Sequence, residues 1–88
     1  MESKIDAKVS RARVRELMAD LLANRDQTLP DDESVELREI GFRSLEFSEL
    51  ALRVEDEIDA ELNFDAPSLR SVRTVGDVLD LLVELQIA

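Results

Sequence analysis

The side chains in this sequence that are candidates for chemistry are chiefly hydroxyls and carboxylates, because its 88 residues include neither histidine nor cysteine. Without them the chain has no disulfide, no thiolate metal site and no imidazole to move protons. Its paired carboxylates, such as Glu55 and Asp56, are adjacent in a predicted helix and do not converge on a cleft. The acidic run at 31–33 lacks the ligand spacing and central glycine of an EF-hand loop. Neither an independent enzyme nor a calcium module is expected.

One serine, Ser44, comes directly before a strongly amphipathic stretch, where the N-cap of a helix is expected. A plain N-cap is the commoner role of a serine before a helix. Position alone therefore favours a capping role for Ser44.

Hydrophobic periodicity predicts the elements that position Ser44. Apolar residues at three- and four-residue spacings run from about Ile5 to Asn24 and indicate an amphipathic helix. Turn and breaker residues then open a long loop, in which Gly41 frees the backbone to turn. The loop residues expected to plug into the core are Val35, Leu37 and Ile40.

A second helix is predicted from Ser44 to about Ile58, with a buried apolar stripe and an acidic outer face. Pro67 is expected to open a short helix, and Thr74 with Asp77 resembles a capping box before a last helix. The sequence thus predicts an all-α fold of three main helices and one short helix. The predicted interior residues are Phe47, Leu50, Val54, Ile58, Phe64, Val72, Val75 and Leu79. The second-helix residues predicted to face water or a partner are Glu46, Glu49, Arg53, Asp56 and Glu57.

The segment at 40–50 resembles the signature of acyl carrier proteins. It reads Ile-Gly-Phe-Arg-Ser-Leu-Glu-Phe-Ser-Glu-Leu, and the carrier proteins of fatty-acid and polyketide synthesis have Leu-Gly-x-Asp-Ser-Leu-x-x-x-Glu-Leu. Residues 54–58 and 74–77 are also similar to the family, so the resemblance covers most of the chain from about Asp32 to Leu82. It implies that residues 1–88 form a single acyl-carrier-protein-like bundle. The matching signature positions are Gly41, Ser44, Leu45, Glu49 and Leu50.

The resemblance implies a carrier rather than a catalyst. In the family, the serine that matches Ser44 receives 4′-phosphopantetheine from coenzyme A through a phosphopantetheinyl transferase. The terminal thiol of that arm holds an acyl group as a thioester, so a chain without cysteine can still take part in acyl transfer. An acidic surface docks onto basic patches of the transferase and of synthase or acyltransferase enzymes. The resemblance assigns Glu46, Glu49, Glu55 and Asp56 to this surface, and two leucines off the core stripe, Leu45 and Leu52, are expected to add apolar contacts to it.

Arg43 departs from the family pattern, which has an acidic residue before the modified serine. A transferase that expects an anion there would recognise this chain poorly. Because Arg43 is one residue from the attachment point, we expect it to contact the phosphate of the arm. Peptidyl carriers often have a neutral or basic residue here, although they tend to have Gly-Gly in place of Gly41-Phe42. An aminoacyl or peptidyl carrier stays open, as does an unmodified acidic helical adaptor.

The net charge of −10 argues against binding nucleic acid and favours cationic protein partners. The acidity is concentrated in residues 26–88, which hold five Lys and Arg against seventeen Asp and Glu. Neither a signal peptide nor a membrane span is evident, so a cytoplasmic protein is expected. A shuttle that presents one face to successive partners is expected to be a monomer.

Overall fold

The computed structural model describes residues 8–63 and 66–87 and has an all-α fold. A 3-10 turn at Leu37–Ile40 interrupts the long loop that follows the first helix. The prediction of three main helices, one short helix and a long first loop is confirmed. The helices in chain order are α1 (Arg11–Ala23), α2 (Ser44–Ile58), α3 (Ala66–Arg70) and α4 (Val75–Ile87).

The first helix begins later than its periodicity predicts. Ser10 is extended and its hydroxyl accepts a hydrogen bond from the backbone N–H of Arg13 at 3.1 Å, so the helix starts at Arg11. The predicted start near Ile5 lies outside the described residues. Val9 precedes the helix but is buried. Its backbone is held by the side-chain amide of Gln86, which accepts from the Val9 N–H at 2.7 Å and donates to the Val9 carbonyl at 3.0 Å. The apolar period therefore continues beyond the helix itself.

One hydrophobic cluster joins α1, α2 and α4. The burial predicted for Phe47, Leu50, Val54, Val75 and Leu79 is confirmed. Two further predicted interior residues, Ile58 and Val72, are partly buried against the cluster, and Phe64 lies outside the described residues. The cluster places α2 with one apolar face inward and leaves its opposite face exposed.

The long loop is fastened to both neighbouring helices. Arg11 pairs with Glu33 of the loop and with Asp80 of α4, and the latter distance is 3.0 Å. The backbone N–H groups of Val75 and Gly76 donate to the carbonyls of Val35 and Glu33 at 3.1 and 2.9 Å. The loop thus leads the chain to α2 along a fixed path. The prediction that three loop residues contact the core is confirmed, since Ile40 is buried and both Val35 and Leu37 pack against the core.

Gly41 ends the 3-10 turn with φ of 69°, the left-handed conformation that glycine adopts at little cost. The predicted turn at Gly41 is confirmed.

The predicted capping box at the start of α4 is also confirmed. Asp77 accepts from the N–H of Thr74 at 3.1 Å, and the hydroxyl of Thr74 accepts from the N–H of Asp77 at 3.2 Å.

None of the helices in the described part of the chain combines the length and the apolar run needed to cross a membrane.

Candidate functional site

Ser44 is exposed and is the first residue of α2. The prediction that it is the N-cap is wrong by one residue, because Arg43 has the extended backbone of the cap (φ −117°, ψ −169°). The arginine side chain has no acceptor, so the cap is completed from inside the helix. The carboxylate of Glu46 accepts from the backbone N–H of Arg43 at 2.7 Å. The Ser44 hydroxyl is thereby left out of the capping interaction.

Glu46 was expected on the water-facing or partner-facing side of the second helix, and that prediction is wrong. Its side chain is only 9% exposed. Besides the N–H of Arg43, its carboxylate contacts Arg25, which follows α1, at 3.2 Å. The pKa of Glu46 is lowered mainly by the hydrogen bond from the backbone N–H of Arg43, and burial opposes this effect. The backbone N–H of Glu46 and the charges of Arg25 and Arg43 lower the pKa further by smaller amounts. Glu46 therefore stabilises the start of α2 and is withdrawn from any docking surface.

Four of the predicted partner-binding residues share one face of α2. We call Leu45, Glu49, Leu52 and Asp56 the α2 stripe, since their spacing of four, three and four residues places them in one row. Leu45 is 65% exposed and Leu52 is 60% exposed, which is unusual for leucine side chains two turns apart on one helix. The α2 stripe therefore presents apolar surface as well as charge.

The remaining carboxylates of α2 are less available than the sequence suggested. Glu49 accepts from Arg25 at 2.6 Å, although it is 41% exposed. Glu55 accepts from the backbone N–H of Leu62 at 2.8 Å, and so closes the turn after α2. Asp56 is exposed and has no ion pair with any described residue. Of the four predicted acidic contacts, Asp56 is the one that stays fully open to a partner.

A cavity of about 470 Å³ opens beside Ser44. Its size is within the range of small-molecule sites in proteins. Three segments form it: the 3-10 turn with the residues that follow, the first turns of α2, and the stretch from α3 to the start of α4. The lining residues are Glu36, Leu37, Arg38, Phe42, Arg43, Ser44, Phe47, Ser48, Leu69, Val72 and Arg73.

The cavity combines apolar and cationic side chains. Phe42 and Phe47 are buried, and Val72 is packed against the core, so they provide a fixed apolar wall. Arg43 and Arg73 are exposed residues that line the same space. Arg43, predicted to contact a phosphate at Ser44, thus lines the cavity into which Ser44 also faces. Whether it makes that contact stays a prediction.

Two parts of this site were missed by sequence reasoning. Phe42 was treated only as a departure from a Gly-Gly pair, yet it is buried. Its position directly before the N-cap Arg43 is a usable signal, since a hydrophobic residue there often packs against the fourth residue of the helix. Arg73 is far from Ser44 in sequence and gave no signal, because only the folded chain brings the segment before α4 to the start of α2.

The described residues contain no group of acidic side chains that could hold a metal ion. The candidate site consists of Ser44, the cavity and the α2 stripe. Comparison of the chain with protein-family models, with curated proteins and with solved structures found no match.

Proposed function

We propose that this protein is an acyl carrier protein, which holds acyl intermediates as thioesters on a 4′-phosphopantetheine arm at Ser44 for polyketide- or fatty-acid-type biosynthesis. The observation that carries the proposal is the position of Ser44, exposed in the first turn of α2 and lining a cavity of about 470 Å³ with an apolar wall. A tether at that point keeps its cargo at high local concentration beside the cavity. The resemblance of residues 40–50 to the carrier signature supports the same role.

The attachment chemistry needs little from the chain itself. The Ser44 oxygen bonds to the phosphorus that carries pantetheine in coenzyme A, the phosphoanhydride bond breaks, and adenosine 3′,5′-bisphosphate leaves while the hydroxyl proton passes to the transferase. The product is a phosphodiester at a helix N-terminus, where the dipole favours negative charge. Arg43 adds a cation next to it. The arm supplies the thiol, so the absence of cysteine and histidine from the chain is no obstacle.

The α2 stripe is proposed as the docking surface for the transferase and for synthase or acyltransferase enzymes. Leu45 and Leu52 offer apolar contact, and Asp56 offers a carboxylate for a basic patch. Glu46 is not part of this surface because it is buried, and Glu55 contributes less because Leu62 occupies one of its oxygens. Arg43 further requires that the transferase presents neutral or acidic groups next to the serine.

The direct test is intact mass. The wild-type protein, incubated with coenzyme A, magnesium and a broad-specificity phosphopantetheinyl transferase, is expected to gain the mass of one phosphopantetheine. A transferase of a second type keeps a negative result from depending on Arg43. If neither enzyme adds an arm, the carrier proposal is wrong and the protein is an acidic helical adaptor.

The α2 stripe makes a separate prediction. The double variant Leu45→Gln, Leu52→Gln is expected to lower kcat/KM for arm attachment by about fivefold, because two apolar anchors at the edge of a small interface together contribute roughly 1 kcal/mol. Its free energy of unfolding should stay within about 0.5 kcal/mol of wild type, since both side chains are exposed. Ala23→Gln, at an exposed apolar position of α1 that is outside both the α2 stripe and the cavity lining, is the control. An equal loss of rate in the control would show that the stripe has no special part in docking.

A further inference from the structure

The cavity beside Ser44 is cationic in a protein that is strongly acidic. Three arginines and one glutamate line it, namely Arg38, Arg43, Arg73 and Glu36, whereas the whole chain has 11 basic and 21 acidic residues. The balance of charge in the cavity is therefore opposite to that of the chain. Such a local reversal focuses an attractive potential for anions at this one place on the surface.

Internal ion pairs do not cancel this charge. Glu36, the acidic residue of the lining, accepts from Arg38 at 2.7 Å. Arg43 and Arg73 make no ion pair with any described residue. Outside the lining, Arg11, Arg13, Arg15 and Arg25 are paired with carboxylates, whereas Arg53 and Arg70 are not paired with any described residue. The guanidinium groups of Arg43 and Arg73 are thus not in direct contact with a carboxylate of the described part of the chain, although their charges act on the nearby Glu46 and Asp77.

The backbone of Arg73 is fixed while its side chain is exposed. Its N–H donates to Asp77 at 3.0 Å, and its carbonyl accepts from Leu37 at 2.9 Å. The Cα of Arg73 is therefore held at the cavity by the start of α4 and by the 3-10 turn. A long, flexible side chain on a fixed backbone suits recognition of a charged group at the end of a ligand.

The rest of the lining is apolar. Leu37, Phe42, Phe47, Leu69 and Val72 supply carbon surface, and Ser44 lies in the same lining. A ligand that satisfies both parts has a short apolar chain and an anionic group that stays near the arginines. An amine at the same place would meet cations and no free carboxylate of the lining, because Glu36 is already paired.

We infer that this cavity binds the free carboxylate of a dicarboxylic acyl cargo carried on the arm at Ser44. The inference rests on the proposed carrier function and narrows it to one class of cargo. Arg43 adjoins Ser44 and is assigned to the phosphodiester of the arm, so Arg73 is the arginine assigned to the carboxylate of the cargo. Arg38 is a weaker second contact, because it is already paired with Glu36. A cargo with a free ammonium group, as on an aminoacyl carrier, is disfavoured by the same charges.

Three arms of equal length test this inference. The carrier is loaded from coenzyme A thioesters of hexanoic, adipic and 6-aminohexanoic acid, which end in a methyl, a carboxylate and an ammonium group. Intact mass first verifies that each arm is attached. Backbone amide shifts of Leu69, Val72 and Arg73 then report occupancy of the cavity. At low salt, the ratio of docked to undocked arm is expected to be about fivefold higher for the adipoyl form than for the hexanoyl form. This preference should shrink as the salt concentration is raised.

Two variants that each remove one positive charge test whether the preference for the adipoyl arm depends on Arg73. Arg73→Gln is expected to reduce the preference for adipoyl to near one, whereas Arg53→Gln, on α2 outside the cavity lining, should leave it unchanged. The backbone contacts of Arg73 do not depend on its side chain, so the variant is expected to fold. Equal docking of the three arms, or an equal effect of both variants, would overturn the inference.

Failure of the carrier proposal remains distinguishable. If mass shows that no arm is attached, the unmodified protein is titrated with hexanoate and hexylamine while the same amide shifts are followed. Selective shifts with hexanoate that disappear in Arg73→Gln would keep the anion site and overturn its assignment to tethered cargo. No selectivity for hexanoate would overturn the anion site as well.

Discussion

Ser44→Ala is expected to abolish attachment of the arm, with no gain of mass after incubation with coenzyme A and the transferase. In the proposed function the phosphodiester forms on the side-chain oxygen of this residue, and alanine removes that reacting atom. Loss should be complete rather than partial, since no binding energy can replace a missing nucleophile. Intact mass before and after incubation measures it directly.

Ser48→Ala is the matched control for that prediction. Ser48 is exposed, is one turn further along α2, and lines the same cavity as Ser44. It should still gain one arm, at a rate close to wild type. Both substitutions are at exposed positions of the same helix, so each should change the free energy of unfolding by no more than about 0.5 kcal/mol. A gain of mass in Ser44→Ala, or loss in Ser48→Ala alone, would place the attachment at another serine.

The elements of this fold could be predicted because each has a local signal. Apolar spacing identifies the buried faces of the helices, and Thr74 with Asp77 marks the start of α4. The start of α1 was predicted too early, because the apolar period does not distinguish a helical Val9 from an extended Val9 that packs beside the helix. The spacing of apolar residues indicates which residues face the core, whereas the N-cap residue indicates where the helix begins.

The candidate site was only partly predictable for a different reason. Ser44, Leu45 and Leu52 were identified correctly as exposed, since their neighbours in one helix define the faces. Glu46 was misplaced because a carboxylate at the third helical position can turn back to the N-cap, and nothing in the acidic pattern separates that use from a solvated one. The cavity also depends on Arg73, which only the tertiary fold brings near Ser44.

The corrected position of Glu46 changes what holds the attachment site in place. Arg25 contacts Glu46 at 3.2 Å and Glu49 at 2.6 Å, and so joins the end of α1 to the first turns of α2. Glu46 and Glu49 therefore help to hold the start of α2 in position. A carrier gains from this arrangement, because a rigid Ser44 presents the same geometry to each enzyme in turn.

Glu46→Ala is expected to lower the free energy of unfolding by about 1.5 kcal/mol. The variant loses the cap on the N–H of Arg43, the contact with Arg25 and the favourable charge at the helix N-terminus. For a domain of this size the midpoint of thermal unfolding should fall by about 6–12 °C. Urea and thermal unfolding followed by circular dichroism measure both quantities.

Glu49→Ala is the control for the ion pair alone. It removes a carboxylate bound to the same Arg25, but from a side chain that is 41% exposed and caps no backbone group. The expected loss is at most about 0.5 kcal/mol, as for exposed pairs in general. Equal losses in the two variants would mean that the backbone cap adds nothing beyond the contact with Arg25.

The pH dependence of unfolding separates the cap from simple loss of side-chain volume. The pKa of Glu46 is lower in the folded protein than in the unfolded chain, so its contribution is fully present above the unfolded pKa of about 4.3 and is lost as pH falls through the folded pKa. Wild type should therefore lose stability from about pH 5 downward. Glu46→Gln keeps the size of the side chain but cannot titrate, so the difference between the two proteins is expected to be largest at neutral pH and to shrink in acid. A difference that stays constant down to the acid limit would show that the ionised carboxylate does not stabilise the start of α2, and that the cap acts only through its shape.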